Sequence, residues 1–230
     1  MSFLKNQFKT KKWLIFLFIL ACFLGLDLVI GIIYFYFGGD LYHLTLTETI
    51  VILLIKYFLL IVMLCLLYRK YLVEKWFDFK KNIAKYFEIS FKNWLIGFII
   101  MIVSNLIISY FISGLGQNES GVQTLIAKTP IVAFIMTTFL APFTEEMIFR
   151  KCLQDCFNNK TLYMITSGLL FGLIHVMGFG NIYEYLLIIP YGALGLMFAK
   201  TINETDNIYS TILLHMLHNG VLTILAMGVI

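Results

Sequence analysis

Residues 129–150 read TPIVAFIMTTFLAPFTEEMIFR, and the reading of this stretch decides the fold. From Thr129 to Phe149 it has the length of a bilayer span, about 20 residues. Inside that length lie two adjacent carboxylates, Glu145 and Glu146, and Arg150 follows at once. Ionisable side chains at membrane depth are expensive and are usually functional. Pro142, three residues before Glu145, has no N–H, so it frees a carbonyl and is expected to kink the helix. Such irregularity is tolerated in a membrane where it lines a cavity.

The rest of the chain supports the membrane reading. Of its 230 residues 60% are hydrophobic and 13% charged, whereas a soluble domain has about 45–50% and about 25%. Mean hydropathy is +0.89. The expected fold class is all-α, a polytopic transmembrane helical bundle. Apolar runs place about seven spans, near 13–37, 48–68, 94–115, 129–149, 161–178, 183–200 and 208–229. Loops 69–93 and 150–160 are basic, and Lys5, Lys9, Lys11 and Lys12 precede the first span. Loops 38–47 and 116–127 and the link 178–182 contain no Lys or Arg. Positive charge marks the cytoplasmic side, so this alternation of loops predicts the N-terminus inside and the C-terminus outside.

The segment from Tyr71 to Lys92 is not a span. Leu72, Trp76, Phe79, Ile83 and Phe87 recur at helical spacing, and Glu74, Asp78, Lys81, Lys85, Glu88 and Lys92 take the other face. This pattern predicts an amphipathic helix lying on the cytoplasmic surface. The basic excess fits anionic lipid and gives no reason to expect nucleic acid. Cys22, Cys65, Cys152 and Cys156 form neither a disulfide framework nor a zinc knuckle. There is no H-E-x-x-H and no G-x-S-x-G. Asp27, Lys56, Ser104 and Asn105 are expected to pack between helices or to snorkel.

Two further polar clusters interrupt apolar runs: Phe171-Gly172-Leu173-Ile174-His175 and His215-Met216-Leu217-His218-Asn219. Glu146 and Arg150 are spaced i,i+4 with the acid first, the favourable order for an ion pair. That pairing leaves Glu145 to the cavity as a candidate general base. If the fourth and fifth helices turn near Asn158, Glu145 and His175 fall within about 6 Å of the same depth at 1.5 Å per residue. Phe171 lies one turn from His175 on the same face and is expected to fix its ring. His215 and Asn219, also i,i+4, share a face of the last helix and are suited to donate together to a developing oxyanion. His218 points away from that face.

E-E-x-x-x-R, F-x-x-x-H and H-x-x-x-N, in this order and each in its own span, resemble the CAAX protease and bacteriocin-processing (CPBP, or Abi) family of intramembrane proteases. Glu145, Glu146, Arg150, Phe171, His175, His215 and Asn219 carry the likeness, which covers roughly residues 125–225. It divides the chain into 1–124, N-terminal spans with the interfacial helix, and 125–230, a catalytic core, within one structural domain. The resemblance implies a membrane endopeptidase acting on a peptide or membrane-associated protein. By it Glu145 activates water, His175 helps position that water, His215 and Asn219 stabilise the oxyanion, and Glu146 and Arg150 orient the helix or help bind substrate. The family is commonly catalogued as metalloproteases, and a carboxylate with His175 and His215 would be a zinc ligand set. A metal-free glutamate mechanism is the other reading, and the cofactor stays open. The alternative function is a non-catalytic bacteriocin-immunity or membrane scaffold protein of the same fold. A transporter would call for paired broken helices, and only one proline-marked break meets the polar clusters.

Overall fold

The computed structural model describes residues 10–40, 43–111, 117–177 and 182–228. Eight helices carry the described chain: α1 (Thr10–Tyr36), α2 (Leu46–Leu67), α3 (Arg69–Ile108), α4 (Gln117–Lys128), α5 (Pro130–Cys152), α6 (Lys160–Val176), α7 (Ile188–Thr205) and α8 (Tyr209–Ala226). Six are long and apolar enough to cross a membrane, and α6, also apolar, has 17 residues. The chain is a polytopic helical membrane protein. Leu14, Phe18, Leu28, Phe58, Leu66 and Leu106 are among many large apolar side chains left exposed along these helices, as a lipid-facing surface requires.

Two of the sequence expectations need correction. The amphipathic segment does not end at Lys92: residues 69–108 run as a 40-residue helical stretch in which two helices join across a kink at Asn82. Asn82 donates its amide to the Asp78 carbonyl at 3.1 Å and to the Asp78 carboxylate at 2.9 Å, a side-chain competition with the backbone that accounts for the kink. The buried face changes accordingly, to Leu72, Phe79 and Tyr86, while Ile83 and Phe87 are exposed. The second correction concerns 116–127, read as a loop, of which most is helix α4. Its sequence, QNESGVQTLIAK, has no long apolar run to announce a helix.

The amphipathic part of α3 is fastened to the turn between α7 and α8. Asn207 donates to the Lys75 carbonyl at 2.8 Å and to the Asp78 carboxylate at 2.9 Å, and the Lys75 ammonium pairs with Asp206 at 2.7 Å. Asp206 itself takes the left-handed conformation, φ 50°, that closes α7. The α6–α7 pair packs most closely. A Cβ on Gly172 would stand 2.6 Å from the Ile188 carbonyl oxygen, and one on Gly168 2.9 Å from that of Gly192. Small residues four apart let membrane helices approach in this way. This close crossing holds Phe171 and His175 against α7, and α8 packs on the middle of α5.

Candidate active site

The backbone of α5 departs from α geometry twice, at Met136–Leu140 and at Met147–Cys152, where it takes π turns. The first has a cause in the sequence. In a π turn each N–H bonds the carbonyl five residues back, as Ala141 does to Met136. The next N–H would be that of residue 142, serving Thr137, but residue 142 is proline. The Asn219 amide of α8 donates to the Thr137 carbonyl instead, at 3.0 Å. The freed carbonyl expected from Pro142 is therefore capped from another helix.

After this turn α5 presents Glu145 and Glu146. Glu146 and Arg150 are fully buried and form an ion pair, Arg150 Nη2 to Glu146 Oε1 at 3.2 Å. Arg150 is anchored on three further sides. Its Nη1 donates to the Ser167 hydroxyl at 3.1 Å, and its guanidinium lies 4.5 Å from the centre of the Phe171 ring and 5.9 Å from that of Phe198. Ser167 in turn donates to the Phe149 carbonyl at 2.7 Å, joining α6 to α5. A buried charge with this set of partners is held in one geometry.

His215 stands between the two acids. Its Nδ1 is 3.0 Å from Glu146 Oε1, and its Nε2 is 3.9 Å from Glu145 Oε2. The first distance is a hydrogen bond; the second is not, so both groups keep an open side. With Glu146 ionised by Arg150, Nδ1–H donates to it and Nε2 is the ring atom left for another partner. The ring is only 4% exposed and packs against Phe198 and Phe171, with centroids 5.2 and 6.0 Å away. His175 lies beyond Phe171. Its Nδ1 donates to the Phe171 carbonyl at 2.7 Å, again leaving Nε2. Its ring is held between Phe171 and Tyr191, each with its centroid 4.5 Å away, and is nearly parallel to Tyr191 at 22°.

Of the seven residues singled out in the sequence, six gather here: Glu145, Glu146, Arg150, Phe171, His175 and His215. Asn219 meets the same helix α5, but at Thr137, eight residues before Glu145. One Nδ2 hydrogen is thus spent on the backbone and one remains. His218 is engaged elsewhere, accepting from the Trp94 indole at 3.3 Å. Sequence reasoning missed Ser167, Tyr191 and Phe198. Among 22 phenylalanines and 13 tyrosines, no spacing distinguished the two aromatic ones.

A zinc centre needs three or four donor side chains converging on one point. Among the described residues no three His, Cys, Asp or Glu side chains are grouped as metal ligands. Glu146 is committed to Arg150 and His215, while the Nδ1 hydrogen bonds of His175 and His215 leave their Nε2 atoms and the Glu145 carboxylate as the remaining donors. Among the described residues these donors are not gathered into a zinc centre.

Residues 127–221 match the family model described as Type II CAAX prenyl endopeptidase Rce1-like. The chain is similar to "Putative membrane peptidase YdiL" of Bacillus subtilis, 29% identical over 142 residues, which are 57% of this chain and 55% of that protein. It is also similar to UPF0177 protein YvdC of Lactococcus lactis, 26% identical over 186 residues, 77% of this chain and 66% of the relative. The chain thus spans about half the length of the Bacillus relative. No solved structure matches it.

Proposed function

Because the chain belongs to the CAAX protease and bacteriocin-processing family, we propose that it is an intramembrane endopeptidase that hydrolyses a peptide bond with water activated by Glu145. The observation that carries this reading is the placing of His215 between Glu146, itself paired with Arg150, and Glu145 across an open 3.9 Å gap. One acid is committed to structure and the other is not, the division of roles that general-base catalysis needs.

In this mechanism Glu145 takes a proton from water as the oxygen attacks the scissile carbonyl carbon. His175 Nε2 accepts the other water hydrogen and fixes its direction. The carbonyl electron pair moves to oxygen, and the oxyanion meets His215 Nε2–H and the second Nδ2 hydrogen of Asn219. Donation from Nε2 requires the imidazolium form, since Nδ1–H is already given to Glu146. In that form Glu145, Glu146, Arg150 and His215 carry no net charge together, as a buried cluster favours. Collapse of the intermediate expels the amine, which takes the proton back from Glu145. Glu145 lies seven residues before Cys152, about 10 Å from the basic end of α5, so the substrate is a peptide or membrane-associated protein entering from that side.

The test is functional complementation by Glu145→Gln at wild-type expression, together with cleavage of membrane-bound peptides by the purified protein. Loss of both by a variant of unchanged thermal stability is the expected result. Full complementation would reject the peptidase and favour the immunity or scaffold function.

A further inference from the structure

Away from the site, the starts and ends of four membrane helices meet around a cleft of about 490 Å³. Lys12 stands at the beginning of α1, Arg69 and Lys70 at the α2–α3 junction, and Lys151 with Asp155 at the end of α5. We propose that this cleft is a binding site for the headgroup of an anionic phospholipid.

The charges do not cancel within the cleft. Asp155 is its one acid, and it is already shared: Lys151 lies 2.8 Å from it, Lys12 3.8 Å, and the Tyr68 hydroxyl donates to it at 3.5 Å. Arg69 and Lys70 are exposed and form no ion pair among the described residues. Four cations against one carboxylate leave three positive charges at a single depth. Lys151 is fixed rather than mobile, because its ammonium lies over the Tyr71 ring at 4.2 Å and near that of Tyr68 at 5.9 Å. A phosphate placed there meets a preset ammonium and a guanidinium able to bind two oxygens.

The setting identifies the source of the phosphate. The cleft lies where apolar helices end, which is the plane of the lipid headgroups. Leu66 and Leu67 form part of its wall and are 72% and 54% exposed, an apolar descent for acyl chains directly below the charged part. A free phosphate would use the cations but not the leucines. The proposal does not depend on the catalytic reading, since none of these residues belongs to the site.

Native mass spectrometry of the full chain in detergent, offered equal phosphatidylglycerol and phosphatidylcholine, tests it. Phosphatidylglycerol should be retained about tenfold or more over phosphatidylcholine. Arg69→Gln/Lys70→Gln should lower that retention roughly tenfold, from two basic side chains at the membrane surface. Lys12→Gln should give a smaller loss in the same direction. Lys81→Gln/Lys85→Gln removes the same charge from α3 outside the cleft and should leave retention unchanged. Equal retention of the two lipids would overturn the proposal, as would an equal loss in the Lys81/Lys85 control. Full displacement of the lipid by an equal concentration of inorganic phosphate would show a free-anion site instead.

Discussion

Glu145 and Glu146 are chain neighbours with different surroundings, and substitution should separate them. Glu145→Gln keeps size and polarity, so the expected result is a fall in turnover of about a hundredfold or more with no change in thermal unfolding. Arg150→Ala acts on the fold. It strands Glu146 as a buried charge and opens space between Phe171 and Phe198. Breaking such a pair costs about 3–5 kcal/mol, measurable as a lower unfolding temperature of the protein in detergent. Arg150→Lys should not restore it, because an ammonium cannot both reach the Ser167 hydroxyl and lie flat on Phe171. Chelators give a third test at this scale. In the proposed glutamate mechanism activity should survive thorough metal removal, and loss reversed by added zinc would refute it.

Helix α5 carries a prediction that no single residue contains. Asn219 caps the carbonyl that Pro142 leaves free, and it is also proposed to donate to the oxyanion. Asn219→Ala alone removes both functions, with about 1–3 kcal/mol expected for the uncapped carbonyl. Pro142→Ala supplies residue 142 with an N–H positioned for Thr137, so the double variant Asn219→Ala/Pro142→Ala should regain most of the lost stability. Turnover should stay at least about tenfold low in the double variant, because the oxyanion donor is still missing. Recovery of turnover together with stability would make Asn219 a structural cap and nothing more. This scale also marks where the sequence stopped being legible. E-E-x-x-x-R and the proline were visible, and so was the carbonyl that the proline frees. The π register that points that carbonyl at α8 was not, since a backbone hydrogen bond of five residues rather than four leaves no side-chain signature. Likewise α3 was read as two elements because its charged residues stop after Lys92, although its backbone continues past that point and kinks at Asn82 instead.

At the scale of the whole molecule, hydropathy was enough for the bundle, because lipid-facing helices must be apolar nearly all round. The order of packing was not legible, since it depends on glycine contacts such as Gly172 to Ile188 that resemble any other glycine in a membrane run. Topology follows from combining the two. Lys12, Arg69, Lys70 and Lys151 line one cleft, so the start of α1, the α2–α3 junction and the end of α5 lie on one face. The Lys75–Asp206 contact brings the α7–α8 turn to the amphipathic stretch of α3 that begins there. From that face α1, α3, α6 and α8 leave, and α2, α5 and α7 return. From the excess of Lys and Arg we propose that it is the cytoplasmic face and that Ala226 ends on the opposite side. The count turns on α6, whose 17 residues rise about 26 Å, just long enough for a hydrocarbon core. A fluorescent protein fused after Ala226 should therefore be dark and alkaline phosphatase at the same point active, with the reverse pattern after Lys151. Fluorescence at both positions would mean that α6 does not cross, and would place Glu145 and His175 at unequal depths.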